Sequence, residues 1–187
     1  MPLLVIHKVM IPPVYSDLVI ICAFIAVGTV SCSDTTTPKA FSTEGIAEPR
    51  FTLASGFVGT PNGRGNLGTF NIHSKADGYD VQLKSHDNTD IAVSTIAIAP
   101  GGHSGWHTHP GPVLVVVKTG EVTFYHGDDR ACSPTRYPAG TAFVEEGGRV
   151  GIARNEGAVE ATTVVTFFVP AGGPTRIDAP APGNCSF

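Results

Sequence analysis

The stretch Gly101-Gly-His-Ser-Gly-Trp-His-Thr-His-Pro-Gly-Pro-Val-Leu-Val-Val-Val-Lys-Thr-Gly120 decides how this chain is read. It carries three of the seven histidines. His107 and His109 are two residues apart, and on a strand that spacing turns both imidazoles to one face. Two neutral imidazoles side by side make half of a metal site, because imidazole suits Zn, Fe, Ni and Cu. A Pro-Gly-Pro turn follows, and then five apolar residues run from Val113 to Val117.

Working outward, Thr119-Gly120 reads as a two-residue hairpin turn joining Val113–Lys118 to Glu121–His126. Gly127-Asp128-Asp129 is the next turn. Short strands are expected at Thr135–Tyr137, Thr141–Glu145 and Val150–Ala153, and a long one at Glu160–Val169. Upstream, Ile91–Ala99 and Tyr79–Ser85 alternate as strands do. Asp87-Asn88-Thr89-Asp90 reads as a turn cluster between them. Gly65–Ile72 is a further short strand. Ala40–Asn66 reads as an irregular lead-in with one strand near Arg50–Leu53. Evenly spaced strands, many glycine turns and no convincing helix predict an all-β sandwich or small barrel. At 187 residues the chain can bury one core.

Composition narrows the function classes. The net charge is −4 and charged residues make up 15%, against a usual ~25%. There is no basic block, which argues against a nucleic-acid partner. No Ser-His-Asp set, phosphate loop or reactive-cysteine signature is present.

The N-terminus reads as a separate object. Leu18–Val30 is uncharged and apolar, short for a bilayer span, and suits the core of a secretion signal. Val30-Ser31-Cys32-Ser33 resembles a bacterial lipoprotein cleavage box with Cys32 as the lipidated residue, although Thr29 stands where Leu is commonest. The chain is therefore expected to be exported, either extracellular or held on the outer face of a bacterial cell membrane. Any membrane contact would be through the N-terminal anchor. Export leaves Cys132 and Cys185 in the mature domain, which suggests one disulfide; two unpaired thiols are the alternative. The bridge would pin the tail, Ala171–Phe187, to the domain and contribute about 3–4 kcal/mol by loop entropy.

Residues Ile91–Val169 resemble the cupin superfamily. Its first motif is Gly, five residues, His-x-His, three or four residues, Glu, six residues, Gly. Gly101, His107, His109 and Gly120 fall on that spacing, with Val113 at the Glu position. The second motif is Gly, five residues, Pro-x-Gly, two residues, His, three residues, Asn. Gly140, Gly148 and Asn155 are in register, with Glu146 at the Pro and Gly151 at the His. The resemblance implies a double-stranded β-helix, the cupin or jelly-roll barrel. The chain then divides into a signal or anchor at 1–32, a flexible tether at 33–50 and a single barrel domain at 51–187.

The resemblance also implies a metal held by three His and one Glu, and here the sequence departs from it. Val113 cannot ligate and Gly151 has no side chain, whereas catalytic sites usually keep three protein ligands. His126 and His103 are the candidate replacements. If Thr119-Gly120 is a two-residue turn, His126 opposes Val113 and shares its face; a one-residue slip would turn it away. His103 lies at an even offset from His107. Glu145 and Glu146 are expected to face solvent. Arg149 and Arg154 serve either an anion pocket or the surface, and Trp106 is expected to pack. Val113, Val115 and Val117 should point inward. Leu114 and Val116, apolar on the other face, need a cover. The N-terminal segment or a second subunit could supply it, and a homodimer fits the resemblance.

Three functional readings follow. The leading one is an exported barrel with a degraded metal site that binds a small polar ligand in its mouth. The second is a metal-dependent oxygenase or isomerase using Mn, Fe, Ni, Cu or Zn on His107, His109 and non-standard ligands. The third is a structural barrel without chemistry.

Overall fold

The computed structural model describes residues 50–187. The signal segment, the lipidation candidate Cys32 and most of the tether lie outside the described residues. Ten strands follow one another: β1 (Ser55–Ala76), β2 (Tyr79–His103), β3 (His107–Thr108), β4 (Val113–Thr119), β5 (Glu121–His126), β6 (Thr135–Pro138), β7 (Ala142–Glu145), β8 (Gly151–Arg154), β9 (Ala161–Pro170) and β10 (Ile177–Asp178). No helix occurs among the described residues.

All pairings are antiparallel and they form two curved sheets. One runs β1-β2-β9-β4-β7 and the other β6-β5-β8-β3-β10. They join where His103 at the end of β2 pairs with Arg154 of β8. The result is a nearly closed barrel of the double-stranded β-helix type. Its interior is filled from both sheets: Ile98, Val117 and Ala161 from the first meet Val122, Phe124 and Ala153 from the second. Val113, Val115 and Val117 point inward, as the alternation predicts, and are 1–3% exposed. Burying each contributes about 1.5–3 kcal/mol. Leu114, Val116 and Val144 share the outer face and are 42%, 49% and 53% exposed. Among the described residues nothing covers them.

Two expectations are corrected. Thr119-Gly120 is not a hairpin, because β4 pairs with β7 and β9 while β5 pairs with β6 and β8. The chain turns a corner there from one sheet into the other. Gly120 has φ 70°, and a Cβ on it would lie 2.7 Å from Ala161 Cα. Secondly, the polar cluster Asp87–Asp90 is not a turn. β2 continues through it with a bulge, the register to β1 stepping from Gly68↔Thr89 to Phe70↔Ser85, and the true turn of the β1–β2 ribbon is Asp77-Gly78, both at positive φ as a tight two-residue hairpin requires.

Asp90 explains why the polar cluster stays in the sheet. It is buried, and its carboxylate accepts hydrogen bonds from Arg64 Nε (2.7 Å), Asn66 Nδ2 (2.8 Å) and the Gly172 backbone N–H (3.0 Å). These bonds tie β1 and the start of the tail to β2. They hold the Asp90 carboxyl down at about 2, chiefly through the Gly172 N–H and then Asn66 and Arg64. A carboxyl whose folded value is depressed stabilises the fold above its unfolded value, and that stability fades as pH falls through the folded value. Asp90→Asn is therefore expected to lower the urea midpoint near neutral pH. The gap to the parent should shrink as pH falls from 3.8 toward about 2. A gap that stays constant across that window would assign the effect to shape and not to charge.

Candidate metal centre

His107 occupies a strand of only two residues, held on both sides. It pairs with Gly151 of β8 and with Asp178 of β10. Gly105, at φ 70° and too close to Thr52 O to carry a Cβ, bends the chain so that its own carbonyl faces back. His107 Nδ1–H donates to Gly105 O at 2.9 Å. His109 Nδ1–H donates to Thr175 O, in the C-terminal tail, at 2.5 Å. A carbonyl oxygen only accepts, so both neutral rings carry their proton on Nδ1 and keep a lone pair on Nε2. The rings are perpendicular, 4.8 Å between centroids, and each residue is 5% exposed.

Both Nε2 lone pairs face one carboxylate oxygen. Glu145 Oε2 lies 3.2 Å from His109 Nε2 and 3.6 Å from His107 Nε2, and the Glu145 side chain is 13% exposed. The expectation that Glu145 faces solvent is thus corrected. Phe143 and Glu145 alternate on β7, and Phe143 packs in the barrel interior. Glu145 pairs directly with Val113. The carboxylate missing at position 113 therefore comes from the residue opposite it on the neighbouring strand, on the same face. Glu146 is exposed and faces Arg149.

The His109–Glu145 separation of 3.2 Å matches a shared cation, and the three ligand atoms lie within 4.8 Å of one another, so small side-chain shifts would bring all three onto one ion. Ligands bound at about 2.1 Å to one ion, with bond angles between octahedral and tetrahedral, stand roughly 3.0–3.4 Å apart. Without a metal ion, the His109 Nε2–Glu145 Oε2 contact at 3.2 Å is satisfied only by a proton on that ring, and His107 Nε2 is left facing the same oxygen. A proton does not serve at neutral pH on His107, because burial pushes its imidazolium down to about 4.

The other two histidines proposed from sequence do not join this group; among the described residues the cluster is His107, His109 and Glu145. His126 pairs with Gly151, not Val113, once β4 and β5 belong to different sheets. It sits two strands from His107, roughly 10 Å at ordinary strand spacing. His103 uses Nδ1 to accept the Gly105 N–H at 3.2 Å, shaping the turn before β3. Burial, and then Arg154, lowers its pKa. Arg154 lies over the Phe187 ring at 4.0 Å, and Arg149 pairs with Asp128. Trp106 packs, at 2% exposure, beside Tyr125 and Ile152. Cys132 and Cys185 form the expected disulfide, with Cα atoms 5.3 Å apart.

Gly151 stands where a third imidazole was absent, and the space is taken. A Cβ there would lie 2.3 Å from Phe124 Cζ. Phe124 in turn rests edge-on against His126 (5.1 Å) and tilted against Phe143 (5.6 Å). A cavity of about 250 Å³ opens beside the triad. His107, His109, Glu145, Ser104 and Arg176 line it together with apolar side chains of both sheets. Arg176 gave no motif signal in the sequence. It reaches the site because β10 lies on β3, and its Nη2 donates to Ser104 O at 2.7 Å.

No family model matches the chain, and no curated protein matches it. Solved structures similar to it are cupins and double-stranded β-helix proteins. An oxalate oxidase is 26% identical over 46% of this chain and 45% of its own, with a TM-score of 0.41. The match thus spans less than half of that protein. A protein with a double-stranded β-helix domain from Klebsiella pneumoniae is 24% identical over 58% of this chain and 84% of its own, TM-score 0.41. A cupin 2 conserved barrel protein from Salinispora arenicola is 20% identical over 44% and 65%, TM-score 0.38. These are partial likenesses; the barrel is read from its own strand pairing.

The contact between Gly151 and Phe124 yields a double-mutant test. Gly151→Ala should destabilise by about 1–3 kcal/mol, as overpacking does. In a Phe124→Ala background the same change should be smaller, a non-additivity readable by urea unfolding. Additive effects would show that the ring and the glycine are not coupled.

Proposed function

We propose that the barrel holds a divalent transition metal on His107, His109 and Glu145 and acts on a small molecule as a metal-dependent enzyme of the oxygenase or isomerase class. The observation that supports this most is the pinning of both Nδ1–H groups by backbone carbonyls, so that both Nε2 lone pairs meet the Glu145 carboxylate. Two imidazoles and one carboxylate on one face is a ligand set suited to Fe(II), and it leaves coordination positions open. When bound, such a metal supplies Lewis acidity and a place for substrate or oxygen. The protein does the rest. Gly105 O and Thr175 O fix ring orientation, the role outer partners play in metal sites. Glu145 offsets one unit of charge, and the valine and phenylalanine walls keep bulk water out.

Binding without turnover is the second reading. It is favoured by Phe124, which fills the place of a third imidazole and leaves a thinner ligand set. Oxygen uptake or product formation by the metal-loaded chain would separate the two.

The full chain, purified without a histidine tag, is expected to carry close to one equivalent of metal. Glu145→Gln keeps the shape and removes the charge, and should weaken metal affinity by at least tenfold; His107→Ala/His109→Ala should abolish it. A parent that stays empty after exposure to Mn, Fe, Ni, Cu and Zn defeats the proposal, as does unchanged affinity in Glu145→Gln.

We further infer export with lipidation at Cys32. The Cys132–Cys185 bridge supports this, since disulfides persist in oxidising compartments. Expressed in a bacterium, the chain should sediment with membranes, and Cys32→Ala should release it. Equal partitioning of the two forms would dismiss the anchor.

A further inference from the structure

We infer, building on the metal reading above, that the cavity takes a short monocarboxylic acid with an apolar tail, its carboxylate shared between the metal and Arg176. Charge and wall chemistry point the same way. A divalent ion with one carboxylate and two neutral imidazoles keeps one positive charge. Arg176 adds a second on the wall of the same cavity. Its Nε donates to Asp178 at 2.7 Å, but Asp178 is 59% exposed, where water screens the pair. Its Nη2 donates to Ser104 O, and among the described residues Nη1 has no partner. Planar guanidinium N–H groups match a carboxylate better than any other anion-binding side chain does.

Position reinforces charge. Thr175 holds His109 through its carbonyl, so Arg176 is the residue next to a metal-ligand anchor. Arg176 and the metal ligands therefore bound one small space with a surplus of positive charge. The Arg176 side chain is itself 29% exposed, so the surplus acts as a partly screened attraction for an incoming anion and not as a buried charge.

The remaining walls carry no charge. Val115, Val122, Phe143, Val165 and Phe167 supply apolar surface, and Ser94, Thr163 and Thr175 supply only neutral hydroxyls. A second carboxylate would find no cation there and would lose its hydration without return. The cavity of about 250 Å³ has room for roughly eight water-sized atoms. A branched acid such as 3-methylbutanoate fills it, acetate leaves most of it empty, and octanoate exceeds it.

The full chain loaded with Co(II) provides the test, because cobalt content and the visible cobalt spectrum are read separately. Acetate, 3-methylbutanoate, octanoate, succinate and 3-methylbutanamide are titrated against that spectrum. 3-Methylbutanoate is expected to bind at least tenfold more tightly than each of the other four. Arg176→Gln should weaken it at least tenfold with cobalt content unchanged, and Arg176→Lys should restore part of the loss. Succinate or the amide binding as well as the branched acid overturns the inference, and so does an Arg176→Gln chain that binds the acid as the parent does. If Arg176→Gln fails to fold, the acid-against-amide comparison on the parent decides. Cobalt bound without preference among the acids overturns this inference alone. A parent that takes up no cobalt overturns the metal reading and this inference with it.

Discussion

The hydrogen bond from His109 Nδ1–H to Thr175 O is the constraint on which the site depends. It joins one ring of the candidate metal site to a tail that has little structure of its own. β3 is two residues long and cannot persist as a free edge; it exists because β8 lies on one side and β10 on the other. β10 in turn is kept in place from further along the tail. Ala179 N–H donates to Trp106 O, the Cys132–Cys185 bridge closes the loop, and the last residue, Phe187, stacks on Trp106 beneath Arg154. The tail is thus part of the site and not an appendage. Cutting the chain after β9 would remove the carbonyl that orients His109 and the cation of Arg176 together.

Electrostatics at the triad follows from that orientation. Were the imidazoles free to flip, a neutral ring's N–H could donate to Glu145, and the carboxylate would be hydrogen-bonded without a cation. The two backbone carbonyls close that route, because each already takes the only proton a neutral ring has. Burial works in the same direction on His107 by disfavouring its charged form. Fixed lone pairs, a nearby carboxylate and exclusion of water together create a negative focus in a low-dielectric space, where it is felt strongly.

Much of the barrel was legible in the sequence because strand parity is a local property. The inward set Val113, Val115 and Val117 and the shared face of His107 and His109 follow from alternation or from motif spacing. Partner choice is not local, and that is where the reading failed. A Thr-Gly step after a valine run looks the same whether the next strand folds back beside it or crosses to the other sheet. With the hairpin assumed, His126 fell opposite Val113; with the corner at Gly120, Glu145 holds that place and His126 lies beyond Gly151. Glu145 did leave a trace, since it shares parity with Phe143. Asp77-Gly78 likewise signalled the ribbon turn, outweighed by the more polar run at Asp87–Asp90. Arg176 left no trace at all, because only the docking of β10 brings it to the site.

The exchange at Gly151 shows how a motif can be lost in letters and its space still be assigned. A side chain on β8 at this point would collide with the Phe124 ring, which reaches across from β5. A third imidazole and that ring therefore exclude each other. The ring leaves the candidate site with three potential ligands and adds apolar surface beside them. A three-ligand face leaves more open coordination positions than a four-ligand one. A substrate whose polar group seeks those positions and whose remainder seeks the valine-lined interior gains on both counts. On this view Gly151 and Val113 are not two losses from one metal site. Val113 passes its carboxylate role to Glu145 across the strand, and Gly151 yields its place to a wall of the cavity.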